Sequence, residues 1–275
     1  MTSKTILITG CSSGIGLDTA RRLKSLGWTV FASCRTQADC DARQAEGFAA
    51  PQLDYEDPAS IARCAEDVLA QTGGNLDAVF HNGAYALPGP LEDIPAQGMR
   101  AQFEANFLGW HDLNRQLIPV MRRAGAGCIL FNSSVLGIVG MKYRGPYVAT
   151  KFALEGYADV LRMEMAEAGI QVVLIEPGPI ETDFRKNAIK QFEKWVDWQK
   201  SPRRAQYEAT LLDLLKKGGS SGVQWPASAV TDAVVKALTA RRPKARYRVT
   251  TPTHLMAVAR RLLPTRALDW VLSKG

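Results

Sequence analysis

The sequence predicts an α/β chain built on one doubly wound parallel sheet, with helices on both faces, and three observations predict it. Short apolar runs rich in β-branched residues alternate with stretches of helical period along most of the 275 residues. The first of these runs leads directly into a turn containing three glycines. With 46% hydrophobic and 22% charged residues, the composition is that of a folded globular chain, long enough to bury a full core as one domain, 1–275.

The expected strands are Thr5–Thr9, Thr29–Ser33, Ala49–Leu53, Ala78–His81, Cys128–Ser133, Gln171–Glu176 and Tyr247–Thr250. Such near-continuous apolar runs suit strands covered on both faces. Helical spacing of apolar residues runs around Leu17–Ser25, Ser60–Gln71, Met99–Met121, Tyr147–Ala168 and Ala227–Thr239, and Gly27 and Gly169 stand where helix-ending glycines belong. From Phe184 to about Lys217 the alternation stops. This segment, 184–217, is read as an insertion over the substrate side, followed by a loop at Gly218-Gly219-Ser220-Ser221-Gly222, and 251–275 as a basic C-terminal extension.

The net charge of +7 is uneven: residues 1–199 hold 19 Lys and Arg against 23 Asp and Glu, and residues 200–275 hold 15 against 4. A solvated basic face is the reading adopted, and no nucleic-acid partner is expected. The N-terminus reaches an apolar strand almost at once and no run approaches the length of a membrane span, so a cytoplasmic protein is expected. Cys11, Cys34, Cys40, Cys64 and Cys128 form no CxxC pair, and His81, His111 and His254 lie far apart, which gives no metal site.

Two motifs carry chemistry. Thr9-Gly10-Cys11-Ser12-Ser13-Gly14-Ile15-Gly16 lies between the first strand and the first helix. Glycine permits the tight turn and lets backbone N–H groups approach a pyrophosphate at the positive end of a helix dipole. Gly10, Ser12, Ser13, Gly14, Ile15 and Gly16 are therefore candidate dinucleotide contacts. Tyr147-Val148-Ala149-Thr150-Lys151 opens the long helix, with Tyr147 and Lys151 on one face by i,i+4 spacing, and Ser134 precedes them at a strand end.

On these motifs the chain resembles the short-chain dehydrogenase/reductase family, motif by motif over about residues 4 to 184. The T-G-C-S-S-G-I-G start, the V-F-A-S-C-R strand and the long tail look most like its 17β-hydroxysteroid dehydrogenase and retinol dehydrogenase-like group, which includes bacterial aldehyde and ketone reductases. The resemblance implies a Rossmann-type fold and an NAD(P)(H)-dependent oxidoreductase that interconverts a carbonyl and an alcohol. It makes Tyr147 the acid/base, Lys151 its partner and the holder of the nicotinamide ribose, Ser134 the donor to the substrate oxygen, and Asn106 the fourth catalytic residue. Free tyrosine titrates near 10, and a lysine ammonium beside it, with the oxidised nicotinamide, is expected to lower that value. Ser133, the strand neighbour of Ser134, is expected to face away.

Cys34 occupies the position where NAD-selective relatives carry Asp, and Arg35 follows it. An acid there binds the ribose 2′-hydroxyl and repels a 2′-phosphate, which a cation accommodates, so NADP(H) is expected ahead of NAD(H). By the same resemblance Asp54 contacts adenine and Asn82, Gly83 and Ala84 match the N-A-G motif, with His81 replacing its more usual first Asn. Pro177, Gly178, Ile180 and Thr182 fall beside the nicotinamide carboxamide. Ser134, Leu136, Met141, Tyr143 and Phe184 are the candidate substrate contacts. Phe184, Phe192, Trp195 and Trp198, with Leu87, serve equally as pocket wall or as lid packing.

The expected partners are a small apolar substrate (steroid-, retinoid- or fatty-aldehyde-like) and further copies of the chain in a dimer or tetramer. The alternatives are an NADP-binding sensor without turnover and an NAD-dependent alcohol dehydrogenase of the same fold. Leu255–Leu272 mixes Leu, Val and Trp with Arg260, Arg261 and Arg266, a pattern that fits peripheral membrane attachment, but Pro264 interrupts it and docking on the body or a partner subunit is the expectation.

Overall fold

The strands are short and, apart from the edge strand at Arg246–Arg248, bury most of their side chains, as a parallel sheet sandwiched between helices demands. β1 (Thr5–Ile8), β2 (Thr29–Ala32), β3 (Ala78–His81), β4 (Gly127–Asn132), β5 (Ile170–Glu176) and β6 (Arg246–Arg248) form one sheet in the order β2-β1-β3-β4-β5-β6, all neighbours parallel. The structure, a computed structural model, describes residues 3–213 and 224–273. The glycine-serine loop at 218–222 and the end of the 184–217 segment lie outside the described residues.

Strand side chains alternate between two cores. Leu7, Phe31, Val79, Ile129, Phe131, Val172 and Leu174 face one; Ile6, Ile8, Val30, Phe80, Leu130, Val173 and Ile175 face the other. The first is covered by α3 (Pro58–Gln71), α5 (Gly109–Ala124) and α6 (Gly145–Met165) through residues such as Val68, Leu117 and Leu154. The second is covered by α1 (Gly14–Ser25) and α8 (Ala227–Thr239) through Leu23 and Val234, and Thr19 and Thr231 hydrogen-bond at 3.0 Å where these two helices meet.

Three elements differ from the sequence reading. Ala49–Leu53 is not a strand but two isolated parallel bridges, Phe31 to Ala49 and Cys34 to Gln52. Only Ala32 N to Ala49 O (2.7 Å) and Leu53 N to Cys34 O (2.8 Å) connect it to the sheet, because Pro51 between them has no N–H to donate. A helix over Gln37–Ala45, α2, was not expected; it buries only Cys40 and Arg43, so it has no apolar period to detect. The helix expected over Met99–Met121 divides into α4 (Ala96–Phe103), a π-turn at Glu104–Leu108 and α5.

Beyond β5 come α7 (Phe184–Trp195), a short irregular helical stretch over 204–211, α8, β6, α9 (Thr251–Leu262) and α10 (Thr265–Ser273). Among the described residues no helix is long and apolar enough to cross a membrane. From β1 the chain runs outward to β2, while β3 pairs on the other side of β1. Loops after β1 and β3 therefore diverge and open a crevice at the carboxyl edge of the sheet, where doubly wound folds bind ligands.

Candidate active site

The glycine turn is shaped by close approach of backbone to backbone. Gly10 has φ +70°, and a Cβ on it would lie 2.6 Å from Gly83 Cα; one on Gly16 would lie 2.3 Å from Gly10 O. Neither position admits a side chain. Thr9 Oγ1 accepts from the N–H groups of Asn82 (2.9 Å) and Gly83 (3.0 Å), and Asn82 Nδ2 donates to Thr9 O (2.9 Å) while its Oδ1 accepts from Asn132 Nδ2 (2.9 Å). Asn82 and Gly83 thus tie β1, β3 and β4 together, and Ala84 continues the same loop. α1 begins at Gly14 without a side-chain cap at Ser13, which leaves its first N–H groups to an anion. The cradle therefore fits a dinucleotide pyrophosphate.

Arg43, which sequence reasoning missed, sits beneath this turn. Its guanidinium is buried, donates to the carbonyls of Cys11 (3.2 Å) and Ser12 (3.0 Å), and pairs with Glu46 at 2.7 Å. No spacing rule points to it from a helix with so few buried residues. Cys34 is 1% exposed with its thiol turned inward, whereas Arg35 at the same strand end is exposed. Asp54 is partly buried and caps its own turn, accepting from Glu56 N at 3.0 Å.

At the next strand end lies the reactive cluster. Tyr147, Ser134 and Lys151 are all buried. Lys151 Nζ donates to Asn132 O at 2.6 Å and stands 4.6 Å from the Trp110 ring and 5.4 Å from the Tyr147 ring. Ser134 Oγ accepts from Leu136 N at 3.1 Å. Burial pushes the Tyr147 phenol up, with Ser134 pulling it part of the way back, and burial depresses the Lys151 ammonium to about 7. This differs from the expected lowering of Tyr147, for a physical reason: both groups are enclosed, which favours both neutral forms, and the ammonium is aimed at the Asn132 carbonyl and the indole instead of the phenol.

Asn106 lies in the π-turn, a geometry frequent at functional sites. Its side chain is committed to the loop after β3: Nδ2 donates to Tyr85 O (2.8 Å), Oδ1 accepts from Tyr85 N (3.2 Å), and Thr150 Oγ1 lies 3.4 Å away. The structure thus places it one layer behind Tyr147 and Lys151. Ser133 faces away from the cluster, donating to Glu155 Oε1 at 2.5 Å, and Arg246 Nε joins Glu155 at 3.1 Å. Glu155, one helical turn after Lys151, was another omission; its i,i+4 relation to the lysine was the available signal.

A family model described as short chain dehydrogenase matches residues 4–193. The chain belongs to the short-chain dehydrogenase family. It is 40% identical to the oxidoreductase YbbO of Escherichia coli K12 over 270 residues, covering 98% of this chain and 94% of that protein. It is 32% identical to human retinol dehydrogenase 8 over 254 residues, 88% and 80% of the two chains. A short-chain dehydrogenase structure from Streptomyces avermitilis superposes with a TM-score of 0.79 at 27% identity, covering 99% and 95%. This chain is accordingly an oxidoreductase with retinol dehydrogenase-like relatives, of the class that acts on alcohol and carbonyl groups with a nicotinamide cofactor.

In this short-chain dehydrogenase, the segment after β5 returns to the glycine turn. Thr182 Cγ2 would meet a Cβ on Gly14 at 3.0 Å, Ile180 bridges to Trp225 and packs on the core that α1 covers, and Pro177 O accepts from Val135 N at 2.8 Å. Gly178 is pressed against Thr250 and Thr253. Phe184 packs edge-on against Tyr147, ring centroids 5.4 Å apart, and Leu136 joins them. Met141 and Tyr143 do not join that group: with Leu91 and Arg203 they line a shallow surface groove, and Tyr143 adopts φ 63°. Phe192, Trp195 and Trp198 pack with Leu87, Val196 and Tyr207 into a small core of their own.

Proposed function

We propose that this dehydrogenase prefers NADP(H) and interconverts a ketone or aldehyde with an alcohol on an apolar substrate, with Tyr147 exchanging the proton. The observation that carries the reading is the buried Tyr147 ring with Lys151 Nζ 5.4 Å from it and the buried Ser134 among the groups that act on its phenol. The nicotinamide, when bound, supplies or accepts the hydride at the substrate carbon. Gly10, Gly16 and Gly83 let the turn close tightly on itself and on the loop after β3, and the N–H groups at the start of α1 bind the pyrophosphate. Lys151, fixed by the Asn132 carbonyl, holds the nicotinamide ribose with Tyr147. Ser134 donates to the substrate oxygen, and Tyr147 protonates it in the reductive direction.

Arg35, exposed beside an inward-facing Cys34, supports the preference for a 2′-phosphate, because no acid at position 34 opposes it. Leu136 and Phe184, packed on Tyr147, give the substrate side an apolar wall. Burial raises Tyr147, so its neutral, proton-donating form dominates near neutrality and alcohol oxidation rises with pH. Leu108, Phe152, Val160 and Met163, exposed at the end of the π-turn and on α6, supply the apolar face through which copies of the chain associate.

A spectrophotometric screen of aldehydes, ketones and alcohols with NADPH, NADH and their oxidised forms tests the reading. Turnover of apolar carbonyls with NADPH is expected. Nucleotide binding without turnover of any carbonyl class would leave a sensor.

A further inference from the structure

The exposed apolar residues of the C-terminal segment form an ordered surface. In α9, Leu255, Val258 and Leu262 follow i, i+3, i+7 and share one stripe, and they are 60%, 55% and 75% exposed. On the other side of the helix Thr253 and Ala257 are buried, and Thr253 lies with Thr250 against Gly178. One face of α9 is thus fixed to the wall of the site while the other offers aliphatic side chains to solvent. Arg261 flanks the stripe on the Val258 side, Arg260 leaves the helix on the side of Thr253, and Arg266 follows in α10, all three exposed. Leu263 and Trp270 add 37% and 61% exposure to the apolar surface. Between 251 and 273 these cations are accompanied by a single acid, Asp269.

We propose that α9 and α10 dock on an anionic lipid surface. The stripe enters the boundary between headgroups and acyl chains, and the arginines extend to the lipid phosphates. Charge selects this occupant over a second copy of the chain. An isologous contact sets a patch against itself, which brings Arg261 and Arg266 towards their own equivalents, whereas an anionic bilayer offers opposite charge and apolar depth together. Attachment is peripheral. Because α9 packs on Val135–Gly137, directly after Ser134, a docked chain holds the substrate edge of the site beside the bilayer. Lipid binding requires no turnover, so the surface stands or falls separately from the reaction.

The test is co-sedimentation of the full chain with vesicles of phosphatidylcholine alone and of phosphatidylcholine mixed with phosphatidylglycerol, at low and high salt. The same measurement is made on Leu255→Ser/Leu262→Ser and on Arg261→Gln/Arg266→Gln, with oligomeric mass from light scattering and fold from circular dichroism. Partition onto the anionic vesicles is expected to exceed that onto neutral ones by at least about 10-fold, to fall with salt, and to be lost in both variants at unchanged mass and fold. Equal partition onto both vesicle types, or sedimentation of the leucine variant like the parent, overturns the proposal. So does a fall in oligomeric mass in the leucine variant, which makes the stripe a subunit contact.

Discussion

The two halves of the crevice are made of different material. On the nucleotide side the shape is set by main chain: Gly10 against Gly83, Gly16 against Gly10, and Thr9, Asn82 and Asn132 linking three strand ends. On the substrate side it is set by side-chain packing, with Phe184 on Tyr147 and a separate core of Leu87, Phe192, Val196, Tyr207 and Leu211. The first half tolerates no added atoms at its glycines. The second can be repacked without moving a strand, so within one fold the nucleotide half is constrained by backbone geometry and the substrate half is free to diverge.

The sharpest break between the halves is Tyr147→Phe. It removes one hydroxyl and leaves the ring packed against Phe184, while the glycine turn belongs to another strand end. Carbonyl reduction is expected to fall by ~10²–10⁴-fold with NADPH affinity and folding retained. Steady-state kinetics beside a fluorescence titration of NADPH check this, and substantial turnover in the folded variant would remove Tyr147 from the mechanism.

Next in size is Phe192→Ala, aimed at the packed half. Phe192 is 4% exposed and its ring lies 6.0 Å from that of Tyr207. Truncation is expected to cost about 3–5 kcal/mol in the cluster, read from denaturant unfolding, and to raise the KM for the carbonyl substrate. NADPH affinity should stay within about twofold, since distant sites act independently. A parallel loss of nucleotide affinity would show that the halves are coupled.

How much of this was legible in the sequence follows the same division. Gly10, Gly14, Gly16 and Gly83 could be placed because a residue without Cβ at fixed spacing carries geometric meaning. Tyr147 and Lys151 could be proposed from their i,i+4 spacing and Ser134 from its strand end and the family resemblance, and all three are buried. Arg43 was not legible, since a buried cation bonded to the carbonyls of Cys11 and Ser12 is a long-range tertiary arrangement. Nor was the direction in which Tyr147 shifts, which depends on enclosure and on where Lys151 points. Met141 and Tyr143, expected as loop residues at the active edge, line the groove before α6, and Tyr143 also packs on the core of Leu87 and Phe192.

Arg35→Ala probes the nucleotide half by electrostatics, leaving its backbone alone. Removing a charge-assisted contact to a 2′-phosphate is expected to erode the NADPH over NADH preference in kcat/KM by about 1.5–3 kcal/mol. Equal use of both nucleotides by the unaltered protein would dispose of the preference.

The smallest expected effect concerns His81, whose ring lies inside the body that both halves share. It is 0% exposed, stacked 5.4 Å from Trp110 and 5.1 Å from Phe131, with Nδ1 2.9 Å from Tyr55 Oη and Nε2 2.9 Å from Asn114 Oδ1. The Asn114 carbonyl oxygen only accepts, so Nε2 donates to it and Nδ1 accepts the Tyr55 hydroxyl, which is the neutral ring. Burial depresses its pKa from 6.5 to about 4, although the Asn114 hydrogen bond works the other way. The unfolded chain therefore binds a proton near pH 6.5 that the folded chain refuses until about pH 4. Stability from this group is fully present above the unfolded value and is lost as pH falls through that window, by about 2 kcal/mol between pH 7 and pH 5. In His81→Asn that part of the slope should disappear, whatever the variant's stability at neutral pH. Urea unfolding of both proteins at a series of pH values makes the comparison, and parallel slopes would show that acid sensitivity originates elsewhere, leaving the stacked His81 as packing alone.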